Sequence, residues 1–309
     1  MPAPACRCLI ITADDFGYSE EKNAGTIECF KSGAITGASL LTNGQYAVNA
    51  VTQAKAANMP IDLHLNLTEG LPVRRIKCNS LTGEDGFMLG KMGFRQAMED
   101  GSVNLQQVKE EIQAQINRFK ELTGHLPVKV DGHQHVHVIP GICEVFAEVL
   151  EENGIKMSRL SIEECIASQK WSSHQQEQFM QGVVQQCIQA VPIFTKHGIW
   201  CPGFIGLKTM GKDMTIARLS TCITDAFRSQ REKTQRNPTT DLVCELMTHP
   251  GKQTGKSGGC GNGPDDFSQS VDREHEMDVL MSEVLLQFYK DNDINLISFP
   301  SYGQKLMSK

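Results

Sequence analysis

The sequence predicts an α/β fold, a barrel-like arrangement of parallel strands and crossover helices, complete or imperfect, in a single domain spanning residues 1–309. Short apolar segments alternate with helical segments about seven times along the chain, which is typical of a parallel sheet. No proline-rich or serine-rich linker interrupts this alternation, so nothing in the sequence divides the 309 residues into separate domains. Barrels of this type commonly reach ~250 residues or more, which fits the length of the chain.

The predicted strands are short runs of aliphatic, β-branched and small residues. They cover residues 8–13, 35–42, 61–67, 128–130, 155–160, 242–247 and 294–299. The predicted helices between them cover residues 20–31, 46–57, 104–122, 141–153, 174–190, 214–229 and 271–290. The first helix begins after Ser19, a favourable N-cap residue, and ends before Gly33, a residue type that commonly terminates helices.

Two irregular segments break the alternation. Residues 70–103 are glycine-rich, mixed in charge and weakly periodic, and we interpret them as an insertion at one end of the fold. Loops of this length are usually functional or mobile. Residues 251–263 contain six glycines in thirteen positions, which predicts a flexible loop at the rim of a site.

Composition and charge exclude several classes of protein. The net charge of −6 and the pI of about 5.9 lack the basic excess that is typical of nucleic-acid-binding proteins. No apolar run approaches the ~20 residues that a membrane-spanning helix needs, and the first residues lack the features of a signal peptide. The 11 cysteines form no Cys-x-x-Cys pair, which indicates reduced thiols and predicts a cytoplasmic protein. The sequence leaves the oligomeric state open, a homodimer included.

Acidic and imidazole side chains recur directly after several predicted strands. The active site of an α/β barrel lies at the carboxyl ends of its strands, so these side chains are expected to meet. They are Asp14 and Asp15 after the first strand, His64, Asn66 and Glu69 within or after the third, Asp131, His133, His135 and His137 after the fourth, and His249 after the sixth. Carboxylate and imidazole ligands together suit Zn, Mn, Fe or Co, whereas Mg prefers oxygen ligands. The sequence therefore predicts a hydrolase built around a divalent metal.

The adjacent residues Asp14 and Asp15 are the sharpest feature of this set. Neighbouring side chains on a strand point in different directions, so one carboxylate could bind a metal while the other accepts a proton from water. The alternative is an acidic pair that merely precedes and caps a helix. The buried strand in front of the pair favours the first interpretation, because it delivers both carboxylates to a cleft.

The histidines differ in how clearly the pattern assigns them. His64 shares one face of its strand with other polar residues, which favours a ligand over a buried core histidine. His133 is closest to the end of its strand and is the preferred ligand there, which leaves His135 and His137 to contact ligands or substrate. His249 could donate a proton to a leaving group, or it could be a loop histidine held by the residues that follow.

Four motifs in this order resemble those of the YdjC-like carbohydrate deacetylases, a family that includes chitooligosaccharide deacetylases. The motifs are Ala13-Asp14-Asp15-Phe16-Gly17, Asp62-Leu63-His64-Leu65, Asp131-Gly132-His133-Gln134-His135-Val136-His137 and Thr248-His249-Pro250-Gly251. The resemblance runs from about residue 8 to about 299 and implies a barrel-like fold that removes acetyl groups from N-acetylated carbohydrates, with an acetylated oligosaccharide as substrate.

The resemblance also implies roles for individual residues. Asp15, His64 and His133 match the metal ligands, Asp14 matches the proton acceptor, and His249 matches the position of the general acid. The implied metal is Mg²⁺, with Zn²⁺ as the alternative. The family is distantly similar to the NodB-type polysaccharide deacetylases, which place two ligand histidines on one short segment. His137 lies four residues after His133, so the alternative in which these two histidines are the ligands remains open.

Two other functions compete with deacetylation. A glycoside hydrolase could use Asp14 with Glu69 or Asp131 as its paired carboxylates, although the histidines would then have no assigned role. A non-catalytic sugar-binding or metal-binding protein could retain the same fold. Loss of activity on chelation favours the metal-dependent hydrolase, cleavage of the glycosidic bond favours the first rival, and metal binding without turnover favours the second.

Overall fold

The structure is a computed structural model that describes residues 6–74, 80–164, 174–233, 240–261 and 263–307. Within these ranges the strands are β1 (Arg7–Phe16), β2 (Gly37–Leu40), β3 (Ile61–Leu65), β4 (Lys129–Gly132), β5 (Met157–Ser158), β6 (Gly203–Ile205), β7 (Leu242–Thr248) and β8 (Ile294–Leu296). The helices are α1 (Glu20–Lys31), α2 (Ala47–Ala57), α3 (Gly90–Glu99), α4 (Leu105–Thr123), α5 (Ile142–Glu152), α6 (His174–Lys196), α7 (Ile216–Lys233), α8 (Asp272–Leu280), α9 (Glu283–Asp291) and α10 (Phe299–Met307).

All strand pairs are parallel, in the order β5-β4-β3-β2-β1-β7-β6, and β8 pairs with the first residues of β1. The two ends of this curved sheet are joined just before β6. There Ser158 donates a backbone hydrogen bond to Trp200 over 3.0 Å, and Trp200 donates one to Lys156 over 2.8 Å. The predicted barrel-like α/β fold is therefore confirmed, with a seven-strand path closed by a single bridge.

The strand β1 shows how the barrel interior is filled. Alternate side chains of a strand face opposite sides of the sheet. Leu9 and Ile11 pack with the main core beneath the helices, whereas Cys8 and Ile10 pack with Phe299 of α10. Aromatic side chains of α10 thus close the amino end of the barrel, and the carboxyl end is left for polar groups.

Four parts of the fold differ from the sequence prediction. The segment 70–103 contains α3, an amphipathic helix that the sequence does not predict because two glycines, Gly90 and Gly93, lower its helix propensity. The strand β6 was missed because it has only three residues. The segment 271–290 forms two helices, since Ser282 caps α9 by accepting a hydrogen bond from the backbone of Leu285. The helix α10 was missed because Pro300 and Gly303 lower its helix propensity.

Some sequence predictions fall on residues outside the described ranges. Part of the predicted insertion, 75–79, and one position of the predicted rim loop, Asn262, belong to this group, as do the cysteines Cys78 and Cys165. None of the helices in the described ranges is long and apolar enough to cross a lipid bilayer.

Candidate metal centre

The end of β1 brings two carboxylates to the same side of the sheet. Asp14 continues the inward-facing positions of the strand, so strict alternation would turn Asp15 outward towards the helices. Asp15 instead has a left-handed backbone, with φ of 61°, and the register with β2 shifts between Ala13 and Phe16. This irregularity turns Asp15 inward, and both carboxylates are buried there.

Three candidate ligand atoms converge at this point, from β1, β3 and the turn after β4. Oδ1 of Asp15 lies 2.9 Å from Nδ1 of His133 and 3.3 Å from Nε2 of His64. Atoms that each bind one metal at ~2.1 Å are separated by about 3.0 to 3.4 Å, so the spacing fits a shared ion. Oδ1 of Asp15 accepts no hydrogen bond from any residue that the structure describes, as expected of an oxygen reserved for a metal. The donor set, one carboxylate and two imidazoles, fits a divalent transition metal.

The neighbouring residues of this cluster orient its histidines. Nδ1 of His64 lies 2.9 Å from Asp131, so Nε2 is the nitrogen that faces Asp15. Nδ1 of His133 faces Asp15, and its Nε2 lies 3.3 Å from Oε2 of Glu69, an ion-pair distance without a hydrogen bond. Carboxylates commonly hold the second nitrogen of a metal-binding histidine, as Asp131 does for His64.

The other two histidines of the His133–His137 segment point away from the cluster. His135 has a left-handed backbone, and its Nδ1 lies 3.1 Å from the hydroxyl of Ser161. Nε2 of His137 lies 2.8 Å from the carbonyl oxygen of Arg159, and the ring packs against Phe146. The structure therefore does not support the arrangement in which His137 is the second ligand.

The charges of the cluster are strongly coupled. Burial opposes a charge on Asp15, but the imidazole of His133 holds the pKa of this carboxyl well below its usual value of 3.8. Burial alone would lower the pKa of His64, but the carboxylates of Asp131 and Asp14 raise it to about 8. A metal must displace protons from imidazoles of this kind, so its affinity is expected to increase with pH.

Asp14 belongs to a second buried group of charges, which the sequence analysis missed. Arg159, after β5, binds Asp14 in a bidentate manner, with nitrogen–oxygen distances of 2.5 and 2.9 Å. The same guanidinium contacts Glu245 at 2.8 Å and Asp131 at 2.8 Å. Lys129 also belongs to this group, because its Nζ forms ion pairs with Asp131 and Glu245. In the sequence, Arg159 and Glu245 stand out only as charged residues after or within an apolar strand.

His249 lies at the end of β7, beside β1. Its backbone N–H donates to Glu276 over 2.6 Å, and its ring packs edge-on against Phe267 at 5.0 Å. Nδ1 is buried and has no hydrogen-bond partner within the described ranges. Burial lowers the pKa of His249 well below 6.5; the Asp15 carboxylate opposes this shift, and the Lys22 ammonium adds to it. In the free protein the imidazole is therefore neutral at pH 7.

Lys22 of α1 supports the loop that carries His249. A Cβ on Gly251 would lie only 2.7 Å from Cδ of Lys22, so this position requires glycine. The side chain of Lys22 is 3% exposed, and its Nζ has no hydrogen-bond partner among the described residues. A buried and unpaired ammonium group is costly. Burial lowers the pKa of Lys22 from 10.5 to about 8, although the Asp15 carboxylate acts in the opposite direction.

We expect Lys22→Met to raise the free energy of unfolding by about 2 to 3 kcal/mol at pH 7. The folded pKa lies below the unfolded one, so the ammonium penalises the folded state below pH 8, and this penalty fades between pH 8 and pH 10.5. Urea denaturation at pH 7 and pH 10 measures the effect, which should shrink at the higher pH. The exposed Lys31 at the end of the same helix provides the control, since Lys31→Met should change stability by less than ~1 kcal/mol. Equal stability of Lys22→Met and the wild type at pH 7 would contradict the argument.

Comparison with known proteins identifies the family to which the chain is similar. The family model described as YdjC-like protein matches residues 8–291. A carbohydrate deacetylase from Danio rerio is 41% identical, over 98% of this chain and 100% of that protein. A chitooligosaccharide deacetylase from Escherichia fergusonii is 36% identical, over 49% of this chain and 58% of that protein. A crystal structure of an Enterococcus faecalis V583 protein, named for cellobiose-phosphate cleavage, shares the fold with a TM-score of 0.72 at 21% identity, over 96% of this chain and 99% of that one.

Proposed function

The chain belongs to the YdjC-like protein family, and from this premise we propose that it is a carbohydrate deacetylase, a metal-dependent hydrolase that removes acetyl groups from N-acetylated carbohydrates. The observation that carries the proposal is the convergence of Asp15, His64 and His133 beside Asp14 at the carboxyl end of the barrel. The similarity to the carbohydrate deacetylase of Danio rerio extends over almost the whole chain. The chitooligosaccharide deacetylase among the similar proteins supports an acetylated oligosaccharide as the substrate.

Asp15, His64 and His133 would hold the metal. When bound, a divalent metal supplies a Lewis acid that polarises the acetyl carbonyl and lowers the pKa of water. The family resemblance implies Mg²⁺, with Zn²⁺ as the alternative, whereas two imidazoles in the donor set favour Zn²⁺. Elemental analysis of the purified protein distinguishes the two ions.

Asp14 is the proposed general base. Its two oxygens are held by Arg159 at 2.5 and 2.9 Å, and its Oδ2 lies 4.0 Å from Nε2 of His64. The carboxylate is therefore next to the ligand cluster, in a fixed orientation, and can accept a proton from water there. His249 is the proposed proton donor to the departing amine. Since its imidazole is neutral in the free protein, this role requires that substrate binding raise its pKa.

The rival functions have less support from the geometry. Asp131 is fully buried and pairs with three side chains, those of Lys129, Arg159 and His64, whereas Asp14 has one hydrogen-bond partner among the described residues, Arg159. Asp131 is therefore the poorer candidate for a carboxylate that exchanges protons in a glycosidase. Glu69 contacts His133 and accepts a hydrogen bond from Gln134 over 2.6 Å, which suits a supporting role. A purely binding protein would have no need for a candidate base, Asp14, and a candidate acid, His249, near the same ligand cluster.

The described cysteines support a reducing compartment. All nine are free thiols, and seven of them are buried, where they act as small apolar residues. This pattern is typical of proteins that are kept reduced, and we propose a cytoplasmic location on that basis.

We expect the purified protein to release acetate from short N-acetylglucosamine oligomers and to lose at least ~90% of this activity on chelation, because metal chemistry supplies much of the rate. The measurement is an acetate assay before and after chelation, with Zn²⁺ or Mg²⁺ added back, and chromatography of the sugar product. Restoration by one ion identifies the functional metal. Cleavage of the glycosidic bond, or acetate release that survives complete removal of metal, would contradict the proposed function.

A further inference from the structure

The turn that carries His133 has an unfavourable backbone. Gln134 and His135 follow it with φ of 52° and 59°, in the left-handed region that residues other than glycine rarely occupy. Glycine is also required just before the turn, since a Cβ on Gly132 would lie 2.5 Å from Nδ1 of His137. Conformations of this kind persist only when the surrounding structure holds them.

One side chain from the insertion holds this turn from outside the barrel. Arg95 of α3 donates from Nη2 to the carbonyl oxygen of Gln134 over 3.1 Å. Its Nη1 donates to Oε1 of Gln186 on α6 over 3.0 Å, and its guanidinium lies 4.9 Å from the centre of the Phe179 ring. Arg95 therefore ties the left-handed residue Gln134 to two helices at once.

Gln134 is in turn linked to the candidate metal ligand His133 through Glu69. Nε2 of Gln134 donates to Oε1 of Glu69 over 2.6 Å, and Oε2 of Glu69 lies 3.3 Å from Nε2 of His133. The other ring nitrogen of His133, Nδ1, is the one that faces Asp15. The orientation of this ring thus depends on the position of Gln134, through both the backbone and Glu69.

We propose that Arg95 is a positioning residue for the metal centre, acting through the left-handed backbone of Gln134 to hold His133 in its ligating orientation. The inference rests on the proposed metal site, and it gives the inserted helix α3 a function. A residue that orients a ligand without touching the metal typically changes metal affinity by about 10-fold to 100-fold when it is removed.

The first test measures metal binding and does not depend on enzymatic activity. Metal-free wild type and Arg95→Met are titrated with Zn²⁺ in competition with a chromophoric chelator, and the melting temperature of each is recorded. Methionine keeps an apolar contact with Phe179 but cannot donate to Gln134. We expect Arg95→Met to weaken Zn²⁺ binding about tenfold.

Lys91 provides a matched control on the same helix. Its Nζ lies 3.6 Å from the centre of the same Phe179 ring, but it makes no described contact with Gln134. Lys91→Met therefore removes a cation that docks α3 onto α6 without removing a hydrogen bond from the turn. The Lys91 ammonium also acts on Glu69 through space, without a described hydrogen bond to it. The variant should leave the Zn²⁺ dissociation constant within about twofold of the wild type. An equal loss of affinity in both variants would show that only helix docking matters, and would overturn the proposal.

Gln134→Gly tests the backbone part of the mechanism, because glycine adopts a left-handed backbone without cost. The substitution also removes the hydrogen bond from Gln134 to Glu69, so the effect of Arg95→Met is measured relative to Gln134→Gly alone. Adding Arg95→Met to Gln134→Gly should weaken Zn²⁺ binding by less than about threefold, whereas adding it to the wild type should weaken binding about tenfold. An unchanged dissociation constant in Arg95→Met, or a full tenfold loss in both backgrounds, overturns the role of Arg95. A wild-type protein that binds no Zn²⁺ overturns both this role and the proposed metal site, whereas binding without acetate release contradicts only the proposed reaction.

Discussion

Asp14→Asn is expected to lower kcat for acetate release about 10³-fold while the metal content stays unchanged, because removal of a general base typically costs 10² to 10⁴ in rate. Asparagine has the shape of aspartate and keeps one oxygen for Arg159, which now binds the carboxylate at 2.5 and 2.9 Å. The amide nitrogen cannot accept a proton from water. Asp14 is not among the three proposed ligands, Asp15, His64 and His133, so its substitution should not release the metal. Asp14 also forms a second possible ligand group with His64 and Asp131, and the metal content of the variant distinguishes the two groups.

The adjacent carboxylate supplies the matched control. Asp15→Asn makes the same chemical change one residue later, at an oxygen 2.9 Å from Nδ1 of His133, and should reduce both Zn²⁺ affinity and activity. The pair of variants thus separates base from ligand. Loss of metal from Asp14→Asn would make Asp14 a ligand, and wild-type turnover in that variant would remove it from the mechanism.

The sequence was sufficient to predict the α/β barrel and the edge of the sheet at which the chemistry collects. Parallel strands share one carboxyl edge, so residues at the carboxyl ends of β1, β3 and β4 had to be neighbours once the fold was predicted. The fold alone did not assign the roles of Asp14 as base and Asp15 as ligand. That assignment came from the family resemblance. Strict alternation along β1 would have turned Asp15 away from the site, and only its left-handed backbone reverses this.

Other features of the site depend on contacts between distant segments. Arg159 follows a strand of only two residues and reaches Asp14 and Glu245 from across the barrel. No local pattern indicates which buried carboxylates an arginine will meet. The helix α3 buries a single residue, Phe94, so the contact of its Arg95 with the turn at Gln134 could not be predicted from periodicity.

Arg159→Met is expected to lower the free energy of unfolding by about 3 to 5 kcal/mol, the usual cost of removing one partner from a buried ion pair. Arg159 is 1% exposed and neutralises three carboxylates, those of Asp14, Asp131 and Glu245. Lys129 pairs with two of them, Asp131 and Glu245, and His64 lies 2.9 Å from Asp131. Urea denaturation monitored by circular dichroism measures the change. Arg228→Met is the control, because the pair of Arg228 with Asp225 is 67% and 41% exposed and should contribute less than ~1 kcal/mol.

The cause of this loss can be separated from a simple loss of packing. If unpaired negative charge destabilises Arg159→Met, then adding Glu245→Gln removes one of the uncompensated charges and should restore about 1 to 2 kcal/mol. Loss of packing alone predicts that the two substitutions add, since glutamine keeps the volume of glutamate. Additive effects, or a stable Arg159→Met protein, would contradict the electrostatic account. Partial recovery of stability without recovery of acetate release would instead show that Arg159 has two separable roles: it neutralises the barrel interior, and it orients Asp14 beside the metal centre.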